Sequence, residues 1–167
     1  MTVSVGICVI TQIDPPTAPT TSDSTYIVFA TAKTITLTPQ FEQVPACGYT
    51  LTGTPAWTIP ATAPITESGS DPYVLTVTST DGLAHHAVNP LIVQLDATYQ
   101  GSSWSANLAF DVTITDPCRT STITSITLVQ MSVVLGVEGL QNFAEAIDSA
   151  GTTYGAAVCG TRTYELV

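Results

Sequence analysis

The stretch WSANLAFDVTIT, residues 104–115, alternates apolar and polar side chains over almost its whole length. Leu108, Phe110, Val112 and Ile114 fall on one face, the period of a half-buried β-strand and not of a helix. Just upstream, PLIVQLD (90–96) is more continuously apolar and reads as a strand in a core or flanking an interface, and the turn-prone QGSS (100–103) lies between the two. YVLTVT (73–78) reads as a further strand, and YIVFATAKTITLT (26–38) as two short ones. Tyr49–Thr54 and STITSITLV (121–129) show the same β-branched, alternating character. Turn signals punctuate these runs: Pro15-Pro16, Thr54-Pro55, SGSDP at 68–72 and Asp81-Gly82. Many short strands at such spacing predict an all-β chain built as a β-sandwich. One segment departs from the pattern. In EGLQNFAEAIDSA (138–150), Leu140, Phe143, Ala144 and Ile147 recur at offsets of three and four, which predicts one short amphipathic helix.

Composition narrows the function classes. Of 167 residues, 30 are Thr and 13 are Ser, about 26% of the chain, whereas only 10% are charged against roughly 25% in ordinary soluble domains. The polar surface is therefore mostly hydroxyl and backbone. Three Lys and Arg stand against 13 Asp and Glu, a formal charge of −10. Such a chain repels a phosphate backbone, which excludes nucleic acid as a partner, and it repels an anionic membrane surface. No run of eighteen apolar residues is present, so membrane insertion through a helix is not expected.

Four cysteines, Cys8, Cys47, Cys118 and Cys159, point to disulfides and an oxidising compartment. None lies two to four residues from another, unlike a zinc site. The opening residues MTVSVGICVITQ lack a basic segment and a long apolar core, so an extracellular location requires a leader already removed or a longer parent chain. None of Asn89, Asn107 and Asn142 opens an Asn-x-Ser/Thr sequon.

The cysteine spacing carries a period. Cys8 to Cys47 is 39 residues and Cys118 to Cys159 is 41; Cys8 to Cys118 is 110 and Cys47 to Cys159 is 112. Both second cysteines open a Cys-Gly pair followed by Tyr- and Thr-rich sequence, CGYTLTG and CGTRTYELV. A unit of about 110 residues, cut out of register, fits this: a connector over 1–46, a β-sandwich body over 47–117, and a second connector over 118–167 that holds the 138–150 helix. The repeat favours local bridges, Cys8–Cys47 and Cys118–Cys159. The competing arrangement is an immunoglobulin-type Cys47–Cys118 bridge, with Trp57 and Trp104 both inside its interval.

DPCRTSTI (Asp116–Ile123), YGAAVCGTRTYEL (Tyr154–Leu166), ITLTP and CGYTLT together resemble tandem immunoglobulin-like or cadherin-like repeats of very large extracellular and cell-surface proteins. The resemblance implies β-sandwich modules joined by disulfide-bearing connectors and used as rods, fibres or adhesins.

Chemistry-bearing motifs are sparse. His85 and His86 are adjacent, so on a strand they face opposite ways; only on a loop, with Asp81 or Asp96, do they approach a metal-ligand set. The cadherin-like resemblance implies junctional calcium ligands, for which Asp14, Asp23, Glu67 and Asp116 are candidates by position, but no DxD run is present. No GxSxG, HExxH or phosphate-binding loop is present. The expectation is a non-enzymatic protein without metal or cofactor. Its expected role is a structural subunit or module of an extracellular fibre, filament or surface rod, joined head to tail to copies of itself or to adjacent repeats by β-strand addition. The alternative is an adhesin that binds carbohydrate or protein through exposed aromatics such as Trp57, Tyr99 or Trp104.

Overall fold

The computed structural model describes residues 6–38, 40–68, 73–128, 132, 134–139, 142–155 and 158–165. The chain divides into two units, Met1–Asp116 and Pro117–Val167.

Among its described residues, the first unit is all-β apart from one helical turn. Its strands are β1 (Gln12–Asp14), β2 (Thr25–Ile27), β3 (Lys33–Thr36), β4 (Glu42–Val44), β5 (Ala56–Thr58), β6 (Ile65–Glu67) and β7 (Val74–Val77). After the turn α1 (Gly82–His85) come β8 (Ala87–Tyr99) and β9 (Ser102–Thr115). They form a four-stranded sheet ordered β2-β9-β8-β5, a three-stranded sheet ordered β3-β7-β6 and a ribbon β1-β4.

The β8–β9 hairpin dominates, with an unbroken antiparallel register from Ala87↔Ile114 to Tyr99↔Ser102. Its loop is Gln100-Gly101, and both residues have positive φ (48° and 82°), as a type I′ turn demands. That turn matches the twist of the strands and so sustains a hairpin this long. β2 joins the outer edge of β9 in parallel, Tyr26 opposite Ile114.

Alternation along the strands builds the core. Leu91 on β8, Val112 and Ile114 on β9 and Tyr26 on β2 meet Ile35, Ile65, Leu75 and Val77 of the three-stranded sheet in one buried cluster. The inner faces of the two sheets thus share their apolar side chains, each worth roughly 1.5–3 kcal/mol when fully buried. A second cluster, Ile13, Leu95 and Ala97 with Trp104 and Ala106 packed on it, lies towards the turn end of the hairpin. Leu108 and Phe110, on the same face between the clusters, are only half-buried. Tyr26 places its hydroxyl inside the main core, where it donates towards Ala30 O (2.9 Å) and accepts from Ser79 N–H (3.1 Å).

Several elements differ from the sequence expectation. Residues 1–46, expected as a separate connector, supply β1 to β4, and β2 and β3 complete the sheets made by residues 56–115. The reason is visible in β3: Ile35 and then Leu37 make an apolar face that needs a covering strand, and β7 pairs along it. Tyr49–Thr54 forms no strand; Thr52 alone bridges to Thr98. A side chain at position 53 would stand 2.4 Å from the Asp96 carbonyl, so Gly53 is where two backbones approach closely. Of the turn expected at 68–72, only Ser68 lies within the described residues.

The second unit has little regular structure among its described residues. It opens with a 3₁₀ turn, Pro117–Arg119, and contains one helical turn, α2 (Gly151–Tyr154). The strand expected over 121–129 is reduced to one antiparallel bridge, Ile123↔Asp148, and Val129 lies outside the described residues. The helix expected over 138–150 is not formed by Glu138, Gly139 or residues 142–150; Leu140 and Gln141 lie outside the described residues. Its C-terminal part is drawn into the bridge instead: Thr124 N–H bonds Ile147 O and Ser149 N–H bonds Thr122 O, both at 2.9 Å. Two or three helical turns in isolation are marginal, and a nonlocal partner for their backbone wins.

Candidate functional site

The four cysteines form Cys8–Cys47 and Cys118–Cys159, with Cα separations of 5.6 and 5.3 Å. The crossing Cys47–Cys118 bridge is not made. Around the first bridge, Tyr49 stacks on Tyr99 (centroids 4.4 Å apart) and donates its hydroxyl to Cys8 O at 3.0 Å. This ties the bridge to the turn end of the β8–β9 hairpin.

The second bridge borders a cavity of 570 Å³ in the second unit, lined on one wall by Ser121 and Ile123–Ile126 and on the other by Gly160–Tyr164. Asp148 holds the floor together. Its carboxylate accepts from Gly151 N–H and pairs with the Arg162 guanidinium. The Gly151 amide is the main cause of a carboxyl pKa held below the ordinary value; burial opposes it, and Arg162 adds to the lowering. Ser149 and Ser121 extend the network: Ser149 Oγ accepts from Thr122 N–H and Ser121 Oγ from Ala150 N–H, both at 3.1 Å. Tyr164 accepts from Ala146 N–H at 2.9 Å and meets Phe143 edge to face.

Burial distinguishes the two units. Ala146 and Ala150 are the only buried apolar residues among the described residues of the second unit. Of the fourteen exposed large hydrophobic side chains among the described residues, eight lie there, including Ile123, Leu128, Leu135 and Phe143. A unit held by a disulfide and a polar network, with its aliphatic side chains in water, has an unsatisfied apolar surface.

The other candidate residues do not converge. His85 Nδ1 bonds Ser79 Oγ (2.7 Å), whereas His86 Nδ1 accepts the Asp116 amide (3.0 Å). Asp81 caps α1 through Ala84 N–H, and Asp96 lies on β8, its pKa lowered by a hydrogen bond from Ser105 and then by Gln94. Asp14 is bonded by Gln12 and Asp23 by Thr20; Glu67 is exposed on β6, and Asp116 is buried against Gly82. Among the described residues, no three His, Cys, Asp or Glu side chains gather to hold a metal ion. Trp57 and Trp104 are half-buried and pack on the first and second clusters. No helix among the described residues is long and apolar enough to cross a membrane.

No protein-family model, curated protein or solved structure matches the chain. The signal for the second unit's cavity was present in the sequence only as the Cys118–Cys159 spacing; the Asp148–Arg162 pair, 14 residues apart, has no sequence signature.

Proposed function

We propose that this chain is a structural module of an extracellular or cell-surface assembly, joined in series to modules of its own kind. The observation that carries the reading is the second unit's surface: among its described residues, two buried alanines stand against eight exposed large apolar side chains. That is the state of a module start awaiting the strands that would cover it.

The parallels between the units support this. Ile13 and Ile123 each stand five residues after the first cysteine of a bridge. Each pairs antiparallel with chain preceding the second cysteine, Gln43 in one case and Asp148 in the other. In the first unit, β5 to β9 cover the apolar faces of β2 and β3. In an assembly, strands of the neighbouring module take that part for the second unit, by β-strand addition. Strand order supports an immunoglobulin-like reading of the first unit. With β2, β3 and β5 to β9 taken as A to G, β3-β7-β6 is B-E-D and β5-β8-β9 is C-F-G. Trp57 then lies on strand C against the core, as in that fold. The disulfides sit outside this core, a departure from the antibody pattern. Both bridges suit an oxidising location. The adhesin reading asks for a platform of free aromatics, whereas Trp57 and Trp104 are engaged in cores and Tyr99 in a stack.

Negative-stain microscopy of the concentrated chain tests the reading. Filaments with an axial repeat are expected, lost on Thr124→Pro, which removes the amide that bonds Ile147 O in the second unit's bridge. A wild-type chain without end-to-end oligomers at any concentration would overturn it.

A further inference from the structure

We infer that the outer edge of β9, residues 103–111, pairs antiparallel with the same edge of a second copy of this chain, with Asn107 on the two-fold axis. This lateral contact is separate from the completion of the second unit, and either can fail without the other.

The direction of the β9 backbone groups follows from bonds at its end. Thr113 N–H donates to Ser24 O (2.9 Å), and Thr115 O accepts from Val28 N–H (3.0 Å), so odd-numbered residues of β9 present their amides and carbonyls away from β8. Thr98 confirms the phase across the hairpin: it exchanges both backbone bonds with Thr52, on the far side of β8. β2 occupies this outer edge only at residues 113–115. Among the described residues, no strand pairs with Ser103, Ser105, Asn107, Ala109 and Asp111 on that side.

Exposed edges are ordinarily blunted by Lys, Pro, a bulge or brevity. This one has none of these. SSWSANLAFDV (102–112) contains neither Lys nor Pro, and its register with β8 is unbroken. The opposite edge of the sheet contrasts with it: β5 is three residues long, and the edge of β8 beyond it carries Pro90. β3 and β6, the edges of the other sheet, are four and three residues long.

The free stretch is also self-complementary. Its midpoint is residue 107, so two copies paired about it place Ser103 opposite Asp111, Ser105 opposite Ala109 and Asn107 opposite itself. Every outward-facing residue then sits in a hydrogen-bonded pair, about ten interchain bonds at two per pair. Small hydroxyl and amide side chains meet, and each Asp111 carboxylate faces a serine hydroxyl. The two Asp111 carboxylates lie about 27 Å apart at roughly 3.4 Å per residue, beyond the screening length of about 8 Å at physiological salt. Besides Asp111, each chain brings Asp96, bonded by Ser105, close to this edge, so the contact of two chains of net charge −10 strengthens as salt screens their charge. A two-fold contact of this kind closes as a dimer.

Sedimentation equilibrium of the full chain tests the contact. The expected result is a concentration-dependent shift from 17.4 kDa to twice that mass, stronger at about 1 M than at about 0.15 M salt. Asn107→Pro removes an outward amide and no β8 bond, so it is expected to keep the far-UV spectrum and abolish the dimer. Should that variant not fold, Ser105→Lys with Ala109→Lys sets lysines opposite one another across the axis and is expected to do the same. Asn107→Cys is expected to be joined across the axis by a short bifunctional thiol cross-linker, because residues in such a pair lie about 5.5 Å apart. A wild-type chain that stays at monomer mass up to about 1 mM, the weak end of specific association, overturns the proposal. So does a dimer that persists in the folded variants, or an Asn107→Cys chain that fails to cross-link. Filaments without the cross-link would overturn this contact and leave the serial assembly standing; a cross-linked dimer without filaments would do the reverse.

Discussion

The Asp148 carboxylate and the Arg162 guanidinium form an ion pair in which the side chains are only 5% and 13% exposed. Ala146 and Ala150 are the buried apolar residues among those described in this unit, so the pair and the Gly151 amide take the place of an apolar core. Removing one partner leaves the other poorly solvated, which destabilises more than losing both.

Acid should therefore loosen the second unit first. The folded pKa of Asp148 lies below its ordinary value, chiefly through the Gly151 amide and with help from Arg162. Its contribution is complete above the ordinary carboxylate value of 3.8 and is lost as pH falls through the lower folded value. Amide exchange at Gly151 and Ala150 between about pH 5 and pH 2 measures it. Protection that stays flat across that range would contradict the assignment; in Asp148→Asn the acid step should disappear.

The two disulfides should differ in consequence. Each closes a loop of about 40 residues, worth roughly 3–4 kcal/mol on the chain-entropy model. Replacing Cys8 and Cys47 by serine should lower the stability of the first unit by about that amount while its core remains folded. The same change at Cys118 and Cys159 should unfold the second unit outright. Chemical denaturation followed at Trp57 and Trp104, together with amide exchange over 121–149, separates the two outcomes.

Tyr26→Phe should cost about 1–3 kcal/mol despite its apolar character. The lost hydroxyl leaves the Ser79 amide and the Ala30 carbonyl without their partner inside the main cluster. Equilibrium unfolding in urea reads the difference, and a cost below about 0.5 kcal/mol would show that water replaces the hydroxyl.

Gln100→Asn should stabilise the β8–β9 hairpin by about 0.5–1 kcal/mol, because Asn adopts positive φ more readily than Gln. A rise in the thermal midpoint of the first unit is the expected readout. An unchanged or lower midpoint would mean that the Gln100 contact with the Tyr99 hydroxyl matters more than the backbone.

Local pattern made the strands legible wherever a strand had one clear apolar face. β7, β8 and β9 fall within two or three residues of YVLTVT, PLIVQLD and WSANLAFDVTIT, and the turn between the last two lies within QGSS. Less was legible where the pattern was short or had no partner. Tyr49–Thr54 and 121–129 alternate as well as β3 does, yet neither has a strand lying along it among the described residues. The Leu140–Ile147 spacing is helical, but Ile147 and Ser149 bond the 122–124 backbone instead. Of the candidate site, only the cysteines could be read in advance.

The sequence by itself determined that this chain is β-rich, poorly charged and cross-linked in two loops of similar length, because alternation, composition and spacing are local properties. Only the tertiary structure decided that β2 and β3 belong to the sheets of the body, that Asp148 meets Arg162, and that residues 103–111 of β9 have no paired strand on their outer side among the described residues. Those three depend on which distant segment wins each backbone group and each apolar face, a competition between nonlocal partners that no window along the chain contains.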